Sequence, residues 1–393
     1  MLPELVYGFY RKGLGFTGYL VIDSTIEGKS CGGIRESQSV TLDEVKKLAR
    51  NMTLKYGFLR IPMGGAKAGL RINDTLSREK RKPIIAEFGR TLSRFIKNGY
   101  FIPGTDMGTS EEDVTWLMNA AKEQRNGYVN IESGHAPEYT GWTMVNSARQ
   151  AIKLENAAVA IQGFGKIGSS AARIFSEDRA KIVAVSTCKG AIHNPRGLDT
   201  DRLIDLRNKC GDDLVNAYHE CRRVPRDHLL ELPVDILLPC AGSYLINSTN
   251  AHKIKAKVIC PGANIPLTDQ AEQILFKRGI ICIPDFVSNS GAVLGNYVAN
   301  YASRTKIKEI IDEEFSRAVY ELLKISKERN TYPKGLAMQI AIRRFYEIKK
   351  NEGKLQRLLL RGIRLALPDA YQKIILKPVA SHMFRRLLKR AFS

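Results

Sequence analysis

The sequence predicts an α/β protein of two domains, the second built on a doubly wound sheet, and three observations lead to this fold class. Its 393 residues exceed what one hydrophobic core usually organises. After Thr140, short apolar runs typical of strands buried on both faces recur, with helical periodicity between several of them. The pattern GxGxxG directly follows the first of these runs. We therefore expect an α/β domain over residues 1–140, a doubly wound domain over 141–302 and mostly helices over 303–393.

The first domain mixes strands with helices. The segment TGYLVI at 17–22 is rich in β-branched and aromatic residues and predicts a strand. Thr41 and Glu44 form a capping-box pattern that starts a helix. Pro83 suits the first turn of a second helix, and Ser110 opens a third. We expect the conspicuous glycines of this region to lie in the connections between these elements.

Five apolar runs form the predicted sheet of the second domain. They read AAVAIQG, KIVAVS, VDILLPC, KVICPG and IICIPD and lie near residues 160, 183, 236, 258 and 282. Helical periodicity separates the first two runs and also the last two, which is the βαβ pattern of a doubly wound domain. Beyond residue 303 the sequence predicts helix almost throughout.

Composition excludes several kinds of protein. No apolar run reaches the roughly 18–20 residues that span a bilayer. The amino terminus lacks the basic-then-apolar order of a secretory signal. The seven cysteines are odd in number and show no paired spacing, and neither a CxxC motif nor grouped histidines indicate a metal. We therefore expect a reduced, cytoplasmic protein without a metal ion.

The net charge of +21 suits an anionic partner, such as nucleic acid, a membrane surface or a small ligand, or it reflects only the general composition of the host's proteins. Because most basic residues are scattered, we do not expect nucleic acid as the partner. They concentrate in HMFRRLLKRAFS at 382–393, where apolar and basic residues follow the spacing of a basic amphipathic helix. Such a helix fits a membrane surface, but docking on its own domain or on a neighbouring subunit is the simpler interpretation.

Three glycines supply the GxGxxG pattern between a predicted strand and a predicted helix. The first permits a tight turn, the second lets the backbone approach a pyrophosphate, and the third allows helix and strand to pack closely. Free N–H groups at the helix start then face the phosphate charge. The surrounding strands favour a Rossmann-type dinucleotide site over a purely structural turn. The cofactor-binding residues expected here are Gly163, Phe164, Gly165, Lys166, Ile167 and Gly168.

The second strand of such a site usually ends in an acid that accepts the ribose 2′-hydroxyl. Here the strand ends with Thr187, and Lys189 follows closely. A missing carboxylate removes the charge that would repel a 2′-phosphate. NAD and NADP are therefore both expected as cofactors.

Lys67 stands among three glycines in the segment IPMGGAKAGL at 61–70. An ammonium in a crowded, partly desolvated pocket loses stability relative to the neutral amine, so its pKa falls and it can act as a general base. A second cation, for which we expect Lys55, would lower the pKa further. We expect the glycines to let backbone and substrate approach the amine. The alternative is a solvated lysine in a flexible loop.

Seven motifs occur along the chain in a characteristic order. They are GGIR at 32–35, MTLKYG at 52–57, PMGGAKAGL at 62–70, TDMGTSEEDVTW at 105–116, QGFGKIG at 162–168, PGANIPLT at 261–268 and PDFVSNSGAV at 284–293. In this order they resemble the glutamate, leucine, phenylalanine and valine dehydrogenase family. The resemblance implies a first domain for substrate binding and oligomerisation, a nucleotide-binding second domain, carboxy-terminal helices that pack back on the first, and a homo-oligomer.

The resemblance also implies roles for matching residues. Lys67 would be the catalytic lysine, which activates the water that attacks an iminium intermediate. Asp106 would carry protons to and from the amino nitrogen, and Lys55 would bind the substrate α-carboxylate. Taken alone, Asp106 would be interpreted as a cap near Ser110, and Lys55 as a lysine favoured by the macrodipole at a helix end.

Other residues receive roles from the same resemblance. Thr140 and Asn289 would orient the nicotinamide or the substrate, and Gly32 and Gly65 would belong to the substrate site. The remaining cofactor-binding residues would be Thr187, Lys189, Cys240, Ala241 and Asn264.

Two positions depart from the glutamate-specific members of the family. Cys31 stands where those members carry a lysine that pairs with the side-chain carboxylate of the substrate, and Asn296 stands where they carry serine. Losing an ion pair to a buried carboxylate disfavours glutamate. Gly104 replaces an alanine of leucine-type members and leaves space for a bulkier side chain. The expected side-chain pocket comprises Cys31, Gly104, Thr140, Val293 and Asn296.

We therefore expect reversible oxidative deamination of an L-amino acid to the 2-oxo acid and ammonia, with NAD or NADP and with an apolar or aromatic substrate side chain. The alternative within the family is a glutamate dehydrogenase with an altered carboxylate anchor. The alternative from another class is a non-catalytic basic binding protein on the same scaffold. The joint presence of Lys55, Lys67 and Asp106 does not favour that last alternative.

Overall fold

A computed structural model divides the chain into two compact units, which we describe one at a time. The structure describes residues 2–73, 76–121, 134–299 and 301–351. Of these, the residues up to 121 and from 340 onward form the first unit, and those from 134 to 339 form the second. The basic segment at 382–393 lies outside the described residues.

The first unit is built on a five-stranded mixed sheet. Its strands are β1 (Leu5–Arg11), β2 (Phe16–Ile22), β3 (Ser30–Glu36), β4 (Gly64–Arg71) and β5 (Ile102–Thr105). In the order β1-β2-β4-β3-β5, the pairs among β1, β2 and β4 are antiparallel, whereas β4, β3 and β5 run parallel. Strand β2 confirms the strand predicted at 17–22.

Three helices of this unit precede or follow these strands. They are α1 (Leu42–Phe58), α2 (Arg78–Lys97) and α3 (Glu111–Ala120). The predicted start of α1 is confirmed, since the Thr41 hydroxyl accepts a hydrogen bond from the Glu44 amide. The prediction that Pro83 lies in a first helical turn is wrong, because α2 begins well before it. An ion pair of 2.9 Å between Arg81 and Glu36 anchors the turn that precedes the proline.

The glycines near Lys67 lie within strands, so the prediction that they lie in connections is wrong. A Cβ atom at Gly65 of β4 would stand 2.2 Å from the amide nitrogen of Thr53 on α1. At Gly32 of β3, it would stand 1.7 Å from the Ala66 carbonyl oxygen. Neither distance is compatible with a side chain. These glycines therefore let the protein's own backbone pack closely on β4, where we had expected them to give access to a substrate.

We expect Gly65→Ala to destabilise the protein by about 3 kcal/mol or more, because the added Cβ meets backbone atoms that move only if α1 shifts. Gly13→Ala is the matched control, since a Cβ there meets nothing within 4 Å. Its effect should stay within about 0.5 kcal/mol. Urea unfolding of both variants, followed by circular dichroism, measures the difference. Equal stability of the two variants would contradict the packing role of Gly65.

The second unit contains a seven-stranded sheet in the order β12-β11-β10-β6-β7-β8-β9. Its strands are β6 (Ala158–Gln162), β7 (Lys181–Thr187), β8 (Gly190–His193), β9 (Arg222–Val224), β10 (Ile236–Pro239), β11 (Val258–Ile259) and β12 (Ile281–Cys282). The five predicted runs are confirmed as parallel strands. Strands β8 and β9 were not predicted, because they are short, and they pair antiparallel at one edge.

The strand order of this sheet reverses beside β6, since β7 and β10 flank it on opposite sides. In doubly wound sheets, ligands bind outside the carboxyl ends of the strands at such a switch point. The topology therefore favours a ligand site at the carboxyl ends of β6, β7 and β10.

Ten α-helices among the described residues belong wholly or partly to the second unit. They are α4 (Ala136–Arg149), α5 (Lys166–Glu177), α6 (Thr200–Cys210), α7 (Leu214–Ala217), α8 (Asp269–Lys277), α9 (Asp285–Ser288), α10 (Gly291–Val298), α11 (Arg304–Ile310), α12 (Ser316–Glu328) and α13 (Pro333–Lys350). A π-helical turn over Ile311–Phe315 joins α11 to α12. The helical prediction beyond residue 303 is confirmed as far as α13 extends.

The last part of α13 belongs to the first unit. Arg344 donates a hydrogen bond of 2.7 Å to the Phe58 carbonyl oxygen. A Cβ at Gly57 would stand 2.2 Å from the Ala341 carbonyl oxygen, so helix α13 packs closely on α1. The two-domain α/β fold class is thus confirmed. Of the carboxy-terminal helices that we expect to pack back on the first unit, α11 and α12 belong instead to the second unit, and the last part of α13 belongs to the first. No helix in the described ranges is long and apolar enough to cross a membrane.

Candidate active site

A buried ion pair joins Lys67 to Asp106 in the first unit. Lys67 lies on β4 between β2 and β3, and only 3% of its side chain is exposed. Asp106 directly follows β5, and its Oδ2 lies 2.9 Å from Lys67 Nζ. The parallel pairing of β4, β3 and β5 thus brings the two predicted catalytic residues together. A solvated lysine in a flexible loop is excluded.

Arg35 is the second cation of this cluster, and the sequence analysis missed it. Its Nε donates a hydrogen bond of 2.9 Å to Asp106 Oδ2, and its Nη1 donates one of 2.7 Å to Glu44 Oε1. Only 4% of its side chain is exposed. The sequence predicts Lys55 as the cation that lowers the pKa of Lys67, whereas the structure identifies Arg35. The one signal in the sequence is a charged residue at the end of the uncharged run GGI.

Burial and neighbouring charges set the ionisation of the ion pair. Burial penalises the ammonium and lowers the pKa of Lys67; the charge of Arg35 acts in the same direction, and Asp106 opposes both. For Asp106, burial alone would raise the pKa, but the charges of Lys67 and Arg35 outweigh it and hold the pKa well below its usual value. Asp106 is therefore ionised at neutral pH, and Lys67 loses its proton at a lower pH than free lysine.

The segment between β5 and α3 fixes the backbone of Asp106. The Asp106 amide donates a hydrogen bond of 3.0 Å to Thr109 Oγ1, which in turn donates one of 2.8 Å to the Ile34 carbonyl oxygen. Helix α3 is capped by Ser110 in a capping box with Asp113. The interpretation of Asp106 as a helix cap is therefore wrong, and its carboxylate serves the ion pairs.

Cys31 and Tyr56 share a hydrogen bond close to Lys67, whose charge acts on the thiol. Cys31 lies on β3, beside Gly65 of β4 and Ile102 of β5, and Tyr56 lies on α1. Burial raises the pKa of the Cys31 thiol and raises that of the Tyr56 hydroxyl well above its usual value. Both groups are therefore neutral at physiological pH. Tyr56 was not predicted as part of the site.

The other predicted substrate residues of the first unit lie on the same elements. Gly32 belongs to β3, Gly65 to β4, and Gly104, which is buried, to β5. Lys55 lies in the last turn of α1 and is only 5% exposed. The burial of Lys55 goes beyond what the helix macrodipole explains, since that effect needs only a solvated cation at the helix end.

The remaining predicted substrate residues belong to the second unit. Thr140 is buried on α4, and Val293 and Asn296 are partly exposed on α10. A Cβ at Gly291 would stand 1.9 Å from the Tyr139 carbonyl oxygen, so α4 and α10 pack closely. The structure therefore groups Thr140, Val293 and Asn296 on two adjoining helices.

The predicted glycine turn lies between β6 and α5. Gly163 has a φ of +98°, and a Cβ there would stand 2.7 Å from the Ala241 Cβ. A Cβ at Gly168 would stand 2.1 Å from the Gly163 carbonyl oxygen, so this glycine packs helix on strand. At Gly165, which precedes α5, a Cβ would meet nothing within 4 Å. The turn therefore has open space beside its backbone at Gly165.

Phe164, Lys166 and Ile167 complete this turn. The Phe164 amide donates a hydrogen bond of 2.8 Å to the Ser186 carbonyl oxygen and so ties the turn to the end of β7. Lys166 and Ile167 are the first residues of α5. Because the first N–H groups of a helix have no acceptor within it, this helix start is suited to bind a phosphate.

Two buried amide side chains lie near the switch point. Asn289 Nδ2 donates hydrogen bonds of 2.9 Å to the Ala263 carbonyl oxygen and 3.2 Å to Asn264 Oδ1. Within the described ranges, no group bonds Asn289 Oδ1 or Gln162 Oε1, although both atoms are buried. Gln162 was not predicted. Such acceptors suit a ligand that donates amide hydrogen bonds. Cys240 follows β10, and burial raises the pKa of its thiol to about 12.

Thr187 and Lys189 occupy the end of β7 and the turn after it. The Lys189 amide donates a hydrogen bond of 3.1 Å to Thr187 Oγ1, which itself donates one of 2.7 Å to the Asp212 carbonyl oxygen. Thr187 is buried, whereas Lys189 is exposed. Thr187 Oγ1 therefore makes both of these hydrogen bonds within the protein. A ligand at the end of β7 would have to be bound by neighbouring side chains.

Two family models match the chain. The model described as "Glu/Leu/Phe/Val dehydrogenase, dimerisation domain" matches residues 11–123. The model described as "Glutamate/Leucine/Phenylalanine/Valine dehydrogenase" matches residues 133–353. The matches extend over both units.

Known proteins are similar to the chain over most of its length. The NAD-specific glutamate dehydrogenase of Staphylococcus aureus is 33% identical over 361 residues, which cover 86% of each chain. The hetero-hexameric glutamate dehydrogenase from Thermus thermophilus, in its Leu-bound form, aligns with a TM-score of 0.76 at 22% identity and covers 89% of this chain and 90% of its own. The L-tryptophan dehydrogenase from Nostoc punctiforme aligns with a TM-score of 0.61 at 24% identity, over 88% and 97%. Both solved structures share the fold of this chain.

Proposed function

The chain belongs to the glutamate/leucine/phenylalanine/valine dehydrogenase family and is an amino acid dehydrogenase, and we propose that its substrate is an L-amino acid with an apolar or aromatic side chain. The reaction consumes water, transfers a hydride to NAD or NADP and releases the 2-oxo acid and ammonia, reversibly. The observation that carries this proposal is the buried pair of Lys67 and Asp106 beside the neutral pair of Cys31 and Tyr56.

Lys67 acts as the general base of this reaction. A nicotinamide cofactor, when bound, would supply the acceptor for the hydride that leaves the substrate Cα. Lys67 then takes a proton from the water that adds to the oxidised carbon, a role that its lowered pKa supports. Asp106 is more exposed than Lys67, at 12% against 3% of the side chain, and therefore suits proton exchange with the amino nitrogen. Its low pKa keeps it in the carboxylate form between proton transfers.

Lys55 binds the α-carboxylate of the substrate. Its side chain is buried within the same unit as Lys67, and burying a cation is costly unless a charge or hydrogen-bond partner offsets the loss of hydration. A substrate carboxylate adds a charge-assisted hydrogen bond of the stronger kind. Lys55 thus holds the substrate through its charge, which separates its role from that of Lys67.

The side-chain pocket selects a neutral substrate. A glutamate substrate brings a second carboxylate, whose burial needs a cationic partner. The family resemblance places Cys31 where glutamate-specific members carry lysine. Its thiol is neutral and forms a hydrogen bond with the neutral Tyr56. Gly104 contributes no side chain and leaves space for a larger substrate. A glutamate dehydrogenase with a different anchor remains the competing proposal, since the Staphylococcus aureus relative is one.

Residues of the second unit fit a nicotinamide dinucleotide. The open space at Gly165 and the start of α5 suit the pyrophosphate. The buried acceptors Gln162 Oε1 and Asn289 Oδ1 suit the carboxamide of the nicotinamide. The other residues that we assign to this ligand are Gly163, Phe164, Lys166, Ile167, Gly168, Thr187, Lys189, Cys240, Ala241 and Asn264.

We also propose a cytoplasmic homo-oligomer. The model that matches residues 11–123 is described as a dimerisation domain, and the Thermus thermophilus protein is described as hetero-hexameric. Light scattering coupled to gel filtration gives the mass of the particle. A mass of one chain would exclude the oligomer.

The test of the substrate class is nicotinamide absorbance at steady state with a panel of L-amino acids, and in reverse with 2-oxo acids and ammonia, each with NAD and with NADP. We expect leucine, phenylalanine or tryptophan to give a higher kcat/KM than glutamate, because the pocket offers neutral groups at Cys31 and Tyr56. Glutamate outrunning all of them would support the competing proposal. No turnover of any substrate together with no nucleotide binding would exclude the reaction.

A further inference from the structure

The carboxyl end of β7 lies directly against the glycine turn. The Gly163 amide donates a hydrogen bond of 3.2 Å to Ser186 Oγ, and the Phe164 amide donates one of 2.8 Å to the Ser186 carbonyl oxygen. In dinucleotide-binding sheets, the adenosine ribose lies at this strand end, where a carboxylate accepts its hydroxyl groups. Here the strand ends in Thr187, which has no charge to offer.

A carboxylate nevertheless reaches this position from another part of the chain. Asp212 belongs to a short turn after α6. Its carbonyl oxygen accepts a hydrogen bond of 2.7 Å from Thr187 Oγ1, and its Oδ2 accepts one of 3.1 Å from Cys188 Sγ. Its Oδ1 pairs with Arg207. Both ends of Asp212 are therefore fixed at the end of β7, and its side chain is still 42% exposed.

We propose that Asp212 supplies the carboxylate that β7 lacks, accepts the ribose hydroxyl groups of the dinucleotide and makes the enzyme select NAD over NADP. This inference rests on the proposed function, because it requires that the second unit binds a dinucleotide. Asp212 lies 25 positions from Thr187 in the sequence, and none of the sequence motifs includes it.

The charges around Asp212 support selection against a 2′-phosphate. The hydrogen bond from Cys188 and the charge of Arg207 lower the pKa of the Asp212 carboxyl, so it is ionised at neutral pH. Arg207 is already bound to this carboxylate and reaches a phosphate only by breaking that pair. The exposed Lys189 is the opposing charge, since it also acts on Asp212 and would attract a phosphate. Thr187 holds the backbone of Asp212, and Cys188 and Arg207 hold its side chain, so a 2′-phosphate would have to lie against a fixed negative charge.

The test compares kcat/KM with NAD and with NADP in the wild-type enzyme, in Asp212→Asn and in Asp213→Asn. Asp213 is the matched control, because it lies in the same turn and its carboxylate accepts a hydrogen bond from Asn216 instead. We expect the wild type to prefer NAD. Asp212→Asn should lower that preference by roughly tenfold or more, the effect of one charge-assisted hydrogen bond and its repulsion. Asp213→Asn should leave the preference unchanged.

Calorimetric titration of the wild-type protein with ADP-ribose and with 2′-phospho-ADP-ribose tests the same point without a variant. Tighter binding of ADP-ribose is expected. Equal or tighter binding of the phosphorylated compound would overturn the inference, as would an unchanged preference in a folded Asp212→Asn enzyme. If neither compound binds and no substrate turns over, the proposed function itself fails and the inference falls with it.

Discussion

Lys67→Met lowers kcat for amino acid deamination by about 10²–10⁴-fold, the range that a general base contributes. Methionine keeps the volume of the side chain but cannot take a proton from water. The variant should still fold, because Arg35 continues to neutralise Asp106 through its hydrogen bond of 2.9 Å. Binding of the nicotinamide cofactor should not change, since the residues that we assign to it lie in the second unit.

Lys46→Met is the matched control for this experiment. Lys46 lies on α1, is 41% exposed and forms a surface ion pair with Asp43, at 3.5 Å. Its removal should leave kcat within a factor of two of the wild type, because surface ion pairs contribute little. A Lys67→Met enzyme that binds cofactor and retains wild-type kcat would refute the role of Lys67 as base.

Arg35→Gln moves the rising part of the pH profile of kcat/KM to higher pH and destabilises the protein. Arg35 lowers the pKa of Lys67, so its removal lets that pKa rise, and a base with a higher pKa becomes active only at higher pH. The variant also leaves Asp106 and Glu44 without their shared cation. Because Asp106 keeps its ion pair with Lys67 at 2.9 Å, the cost should stay below about 3–5 kcal/mol, which is the cost of leaving a buried charge without any partner.

Arg35→Lys is the conservative control, because it keeps the positive charge but loses the planar guanidinium that bridges Asp106 and Glu44. Its pH profile should stay closer to that of the wild type than the profile of Arg35→Gln, while its stability falls as well. pH profiles from nicotinamide absorbance and urea midpoints for both variants separate the two effects. A wild-type pH profile in a folded Arg35→Gln enzyme would show that Arg35 is structural only.

The sheet of the second unit could be predicted because its strands are buried on both faces and read as continuous apolar runs. The edge strands β8 and β9 escaped prediction, since strands of four and three residues carry too short a pattern. In the first unit, Gly65 was assigned to a connection, because glycine is disfavoured in strands. Its reason for being in a strand is the approach of Thr53 to within 2.2 Å of a Cβ position, which is a tertiary contact.

Site residues whose role a sequence motif indicates could be predicted. Site residues that only the fold brings together were missed. Lys67 and Asp106 were assigned through their motifs, and the structure joins them at 2.9 Å. Arg35 was missed, although it lies in a quoted motif, because its direction depends on the pairing of β3 with β5. Tyr56 and Asp212 were missed for the same reason, since each meets its partner across different elements of the fold.

Lys67 can act as the general base only if its amine loses its proton within the working pH range of the enzyme. NMR titration of the protein labelled with ¹³C at lysine Cε follows this proton directly, and the resonance absent from Lys67→Met identifies the residue. Burial beside Arg35 predicts that this resonance titrates below the ordinary lysine value of about 10.4. A Lys67 resonance that titrates at or above that value would contradict a general base at this position.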